Sequence, residues 1–289
     1  MPLKIDDLKD ITLDDYERVV YMGNKIELRN EPDYKRRIEK GHKVLSSNIS
    51  ANTPIYGVNT GFGDSCRNFI TCKDAQELQR NLVKYHGCGI GPYYSPKESL
   101  GILLLRLISN AKGYSGVTYK LLKQMELYIN HGILPAIPEI GTVGASGDLT
   151  PLSYLAAALC GQRKVYYLGE LHETKEVLEK INLKPIELQP KEGLAIMNGT
   201  SVMTAIAANS IIEARKIALA MEYNTALTVE VLMGNKGSFA PVIHEIKPHP
   251  GQIQAARNIA QLLKSSGMAL EHSDVLKIVK DDTEREEHR

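Results

Sequence analysis

Gly141-Thr-Val-Gly144-Ala145-Ser146-Gly147-Asp148-Leu149-Thr-Pro-Leu-Ser153 is the stretch on which the reading of this chain turns. Glycines and the flanking prolines Pro135, Pro138 and Pro151 make its centre a turn rather than a helix or strand. Gly144-Ala-Ser146-Gly147-Asp148 comes close to the Gly-x-Ser-x-Gly elbow of hydrolases, but Asp148 stands where that motif requires glycine. Ala-Ser-Gly alone arises by chance in many chains. A plain structural reading is a Gly-Ser turn leading into the helix of SYLAAALC, with Asp148 capping the helix start. That accounts for Asp148 and leaves the rest of the stretch unexplained.

Outward from this turn the chain reads as helix. Towards the amino terminus, Tyr119 to His131 is expected to be a helix closed by Gly132 and Pro135, and ESLGILLLRLISNAKG a helix ending near Gly113. Asp74 to His86 is helical, and IYGVNTGFGDS before it is a glycine-rich loop able to bend or move. The first fifty residues read as short amphipathic helices, with Thr12 and Asp14 as caps and Glu31 to Ser46 as a charged-face helix. Towards the carboxy terminus, KVYYLGELH reads as a hairpin with Gly169 at its turn. Ser201 to Met233 reads as one long helix, too apolar to stand exposed and therefore expected to be buried in a bundle. The closing VLKIVKDDTEREEHR is charged, a solvated helix end or a tail.

Composition removes several functions. With 35 basic and 34 acidic residues the net charge is +1, so no global field draws the chain to nucleic acid or an acidic membrane. The amino terminus is charged throughout and lacks the apolar core of a signal peptide, and no long uninterrupted apolar run suggests a membrane span. Cys66, Cys72, Cys88 and Cys160 contain no C-x-x-C pair, which disfavours zinc or a redox dithiol and fits free thiols in a reducing compartment. Asn48-Ile-Ser and Asn198-Gly-Thr match the glycosylation sequon but carry no such meaning without secretion. His244-Glu245 cannot open a zinc-protease motif, because Pro248 occupies the position of the second histidine. A Walker-type phosphate loop is absent. A cytoplasmic protein without metal is expected.

In its full thirteen-residue context, Gly141 to Ser153 resembles the signature of the histidine, phenylalanine and tyrosine ammonia-lyases and the related 2,3-aminomutases. The resemblance implies that Ala145, Ser146 and Gly147 cyclise into 4-methylidene-imidazole-5-one (MIO), a self-formed electrophile requiring no metal or diffusible cofactor. The Gly147 nitrogen would attack the Ala145 carbonyl carbon with loss of two waters, and Asp148 would support the reaction. Further blocks carry the same resemblance. Ile55 to Ser65 is similar to the family's mobile loop, with Tyr56 as catalytic acid or base. Asn81 to Gly91 is similar to its substrate-selecting segment, with His86 against the substrate alongside Gly63 and Leu149. Lys191 to Ala207 is similar to a block in which Asn198 contacts the imidazolone or the substrate carboxylate. His249 to Gln252, HPGQ, matches a segment without an assigned catalytic role.

The family implies a mainly α fold: a long-helix bundle of the ammonia-lyase/fumarase-like type with a small mixed amino-terminal region. Residues 1–200 would carry the MIO-forming loop and 201–289 would begin the central bundle. It further implies a homotetramer acting on an aromatic amino acid, with the remaining active-site arginine, tyrosine and glutamate in a carboxy-terminal half downstream of residue 289. A cut or truncated lyase, inactive by itself, is expected. A histidine at His86 suits L-histidine or L-tyrosine, giving urocanate or coumarate. Tyr85, where many histidine lyases have serine, keeps the choice open. A 2,3-aminomutase shares every motif. A scaffold subunit is the non-enzymatic alternative, and retention of Tyr56, the tripeptide and Asn198 together argues against it.

Overall fold

The computed structural model describes residues 1–6, 8–71 and 74–287. Cys72 and the final two residues of the charged carboxy-terminal stretch, both read from the sequence above, lie outside the described residues. The chain divides into two compact units, Met1–Asn209 and Ser210–Arg289.

The first unit is helical with short strands. It runs β1 (Leu3–Ile5), α1 (Leu13–Val20), β2 (Ile26–Leu28), α2 (Pro32–Ser50), α3 (Ala75–Tyr85), β3 (Ile90–Tyr93), α4 (Pro96–Ala111) and α5 (Tyr119–His131). It continues through β4 (Leu134–Pro135), β5 (Pro138–Ile140), α6 (Leu149–Leu159), β6 (Lys164–Tyr167), β7 (Glu170–Glu173), α7 (Thr174–Lys180) and α8 (Glu192–Met197) to α9 (Ser201–Val231). Thr12 caps α1 in a reciprocal capping box with Asp15. Gly132 closes α5 at φ +68°, the left-handed conformation that a helix C-terminus asks of glycine. The β6–β7 hairpin turns at Leu168 and Gly169, as the sequence predicts.

One expectation for the amino terminus is corrected. Leu3–Ile5 and Ile26–Leu28 are not helical but pair in parallel, Ile5 opposite Leu28. Three-residue strands are too short to show a period, and their partner is brought in by α5. The Ile26 N–H donates to Asn130 Oδ1 at 3.0 Å and the Leu28 N–H to Glu126 Oε1 at 3.0 Å, so β2 has its free edge satisfied by helix side chains.

The core lies between α4, α5 and α6. Ile102, Leu103, Leu104, Leu107, Leu122, Met125, Leu152 and Leu155 are fully buried. Tyr128 Oη donates to the Ala158 carbonyl at 2.7 Å, tying α5 to the end of α6. This packing fixes α6, and with it the turn from Gly141 to Asp148 at its start.

In the second unit, the rest of α9 packs on α11 (Pro250–Leu263) around Ala226, Ile259, Leu263 and Ala269. α10 (Pro241–Glu245) precedes α11, and α12 (His272–Glu287) follows it. HPGQ is the start of α11, with His249 in the N-cap position and Pro250 in the first turn. The expectation that the long helix is buried holds for only part of its length in this chain, Ile212 and Ala226 being buried beyond its first turns. Val202 and Ala205 are core, yet Ile217, Met221, Leu227 and Val231 are all more than half exposed. A helix apolar on every side has more surface than one partner helix can cover. By length and composition alone Glu192–Val231 could cross a membrane, a test that the core helix of a soluble protein also passes.

Candidate active site

The segment from Gly144 to Asp148 is a chain of bends between β5 and α6. Ser146 adopts φ +62° and Gly147 φ +88°. A left-handed serine costs roughly 1–2 kcal/mol and persists only where its neighbours hold it. Those neighbours come from the turn between α8 and α9. A Cβ on Gly147 would stand 2.6 Å from the Gly199 carbonyl oxygen and 2.8 Å from its nitrogen, so only glycine allows the two backbones to meet. The Asp148 N–H donates to the Gly199 carbonyl at 2.7 Å. The Asn198 amide donates a short hydrogen bond to the Ser146 carbonyl. Ala145 and Ser146 are exposed and Gly147 half-buried.

Asp148 corrects the sequence reading. It occupies the N-cap position of α6 but makes no side-chain cap there. Its carboxylate, 2% exposed, instead accepts from the Val202 and Met203 N–H groups, each at 3.0 Å, and so caps α9. The free N–H groups at that helix start suit a buried anion. Leu149 follows as the first residue of α6, half-buried.

Tyr56 lies in a loop whose frame is buried and whose tip is not. Val58, Asn59 and Thr60 are buried, and Asn59 accepts from the Ile55 N–H at 2.7 Å while donating to the Thr53 carbonyl at 2.9 Å. Tyr56 itself is 53% exposed, its ring edge-on to Phe62 and its Oη accepting from the Gly63 N–H at 3.1 Å. Tyr56 and Gly63 are thus brought together. Nearby Tyr85 has its hydroxyl pushed above the usual range by burial and by Tyr56. His86, at the C-cap of α3, turns Nδ1 to the Leu82 carbonyl at 3.0 Å and stacks at a tilt on Tyr85, 4.5 Å between centroids. Among the described residues no hydrogen bond or ring contact joins Tyr56 or His86 to the Ala145–Gly147 turn.

Two residues not singled out from the sequence connect these parts. Gln79, fully buried on α3, donates to the Gly57 carbonyl at 3.1 Å and accepts from the Leu194 N–H at 3.1 Å. It fastens the Tyr56 loop to α8, the helix that delivers Asn198. Arg106 on α4, 5% exposed, donates to the Asn198 carbonyl at 3.3 Å and to Ser109 Oγ at 2.7 Å. A lone charge in LLLRLIS is a signal the sequence offered for Arg106; Gln79 has no such mark. The cavity lined by Cys160, Lys175, Leu178 and Pro185, about 340 Å³, contains none of the candidate residues.

Solved chains that share this fold include amino acid ammonia-lyases and aminomutases. The chain belongs to the aromatic amino acid lyase family, whose model matches residues 11–286. It is 37% identical over 266 residues to histidine ammonia-lyase of Shouchella clausii, covering 92% of this chain and 53% of that protein. It is also 37% identical to the MIO-dependent tyrosine 2,3-aminomutase of Streptomyces globisporus, covering 98% of this chain and 52% of that one. The crystal structure of tyrosine aminomutase from the same organism superposes with a TM-score of 0.92 at 35% identity, over 98% of this chain and 53% of that chain. The chain therefore spans about half the length of the curated relatives it matches.

Proposed function

We propose that this chain carries the ring-forming and proton-transferring part of an MIO-dependent aromatic amino acid ammonia-lyase, with L-histidine or L-tyrosine as substrate and urocanate or coumarate as product. The observation that carries the reading is the left-handed Ser146–Gly147 turn, packed on Gly199 and held at the Ser146 carbonyl by Asn198. The residues fit the ring. Gly147 has no Cβ to obstruct its nitrogen, and Ser146 supplies an exposed hydroxyl.

In cyclisation the Gly147 nitrogen bonds to the Ala145 carbonyl carbon. That oxygen leaves as water with the amide hydrogens of Ser146 and Gly147. A second water takes the Ser146 hydroxyl and its α-hydrogen. The finished ring supplies an electrophilic methylene that turns a substrate amine into a leaving group. Tyr56 Oη then has the task of removing the weakly acidic β-proton, with the Gly63 N–H aimed at the same oxygen. His86 can hydrogen-bond an imidazole or a phenol. The exposed apolar residues Ile217, Met221, Leu227 and Val231 support a homotetramer completed by further chain. A cytoplasmic location is part of the same proposal.

A 2,3-aminomutase is the second reading, favoured by the superposition on tyrosine aminomutase at a TM-score of 0.92. Peptide mapping of the intact chain tests the main reading. The peptide spanning Gly141 to Ser153 is expected to be lighter by two waters, and an unmodified peptide would overturn it. In the assembled enzyme Tyr56→Phe is expected to leave that deficit in place while removing nearly all turnover; retained turnover refutes the role of Tyr56. Product analysis separates an aryl-acrylate from a β-amino acid.

A further inference from the structure

We propose that Arg106 is a positioning residue for ring formation, its guanidinium forming the back wall against which the Asn198–Gly199 turn holds Ser146, Gly147 and Asp148. The inference rests on the reading of the tripeptide as a ring precursor and adds a residue to it.

Three layers of backbone and side chain make the case. Arg106 donates to the Asn198 carbonyl at 3.3 Å, while the side chain of that same asparagine donates to the Ser146 carbonyl. Gly199, the next residue, lies directly on the guanidinium, since a Cβ built on it would run into the Arg106 head group. From its other side Gly199 accepts from the Asp148 N–H and faces the bare α-carbon of Gly147. One two-residue turn thus touches Arg106 on one side and all three residues from Ser146 to Asp148 on the other.

A cavity of about 400 Å³ is lined by Arg106, Ser109, Asn198, Gly199, Thr200 and Thr204, so both the turn and the arginine border open space into which a shorter side chain at 106 would let the turn shift. Electrostatics agree with the geometry. Burial pulls the Arg106 pKa below its usual value, and the buried Asp148 carboxylate opposes this, an attraction between the two groups on either side of the turn. A leucine-like residue here would pack the helix equally well; an arginine anchored at both ends, on Ser109 and Asn198, fixes a position.

The experiment follows ring formation over time in the full chain after cell-free synthesis, by mass of the Gly141–Ser153 peptide in the soluble, folded fraction. Wild type is compared with Arg106→Met, which keeps the apolar stem but not the charged head group that reaches the turn, and Arg106→Lys, which keeps the charge. Ring formation is expected to slow on the order of 10-fold to 100-fold in Arg106→Met, the penalty of a small misplacement of reacting groups, with partial rescue in Arg106→Lys. Unchanged helical circular dichroism in both variants is part of that expectation. Cyclisation of Arg106→Met at the wild-type rate, or no advantage of Lys over Met, overturns the proposal. If Arg106→Met does not fold, Gly199→Ala decides, because it displaces the same contact while leaving the arginine in place; ring formation there at the wild-type rate also overturns it. A wild-type peptide of full mass would sink the ring reading itself, which is a distinct outcome.

Discussion

Asp148 sets up the sharpest energetic test in the molecule. Its carboxylate is nearly inaccessible and accepts from two backbone N–H groups at the start of α9. Asp148→Ala removes both acceptor contacts. Val202 is buried, so its N–H is left without a partner at a cost of about 1–3 kcal/mol, while the Met203 N–H, on a residue 59% exposed, can be recovered in part by water. The carboxylate that favours the charged form of the buried Arg106 also disappears. Together these give a loss of about 3–5 kcal/mol. Asp148→Asn keeps an oxygen in place and forfeits only the charge at the helix start, about 0.5–2 kcal/mol. Urea unfolding followed by far-UV circular dichroism separates the cases, the midpoint falling for both variants while the slope stays constant. A loss below about 1 kcal/mol for Asp148→Ala, or equal losses for the two variants, would show that Asp148 does not hold α9 in the way its contacts indicate.

Two further outcomes follow from contacts elsewhere. Gln79→Leu leaves the Gly57 carbonyl and Leu194 N–H unpaired in the interior and is expected to destabilise by about 2–4 kcal/mol; faster proteolysis confined to residues 55–71 would report the released loop, and unchanged proteolysis there would argue against the tether. Cys160 has its thiol pushed up to about 12, chiefly by burial and further by Glu192, whereas Cys66 and Cys88 are exposed. At about pH 8, alkylation should therefore label Cys66 and Cys88 well ahead of Cys160, and equal labelling of all three would contradict the burial.

What the sequence disclosed follows the range of the interactions concerned. Helix α5 was legible from Tyr119 to His131 because its stop signal, Gly132, is adjacent in the chain. The β6–β7 hairpin was legible for the same reason, its turn lying between its strands. The bends from Gly144 to Asp148 were legible as a turn because the glycines that make them are neighbours in the chain. The errors are long-range. Asp148 reads as the cap of the helix it begins, and only the approach of Gly199 to Gly147 shows that it serves α9. β1 and β2 read as helix because the side chains that complete them, Glu126 and Asn130, sit about a hundred residues away. The apolar run of α9 spoke for burial, but burial depends on how many surfaces surround a helix, and a sequence pattern does not count them. Tyr56 and His86 were named from the sequence as candidates, whereas the buried glutamine tying the Tyr56 loop to α8 carried no mark there.

The bond between Asp148 and α9 spans 54 residues, and that separation has a consequence in time. A ribosome releases the glycine-rich loop well before the helix that steadies it. If the tripeptide cyclises as proposed and needs this support, it stays uncommitted until the start of α9 has emerged and met Asp148. Cyclisation, being covalent, would then leave a lasting stamp on each chain that had completed this step, and a molecule lacking the stamp would be recognisable by mass alone as one in which loop and helix never met.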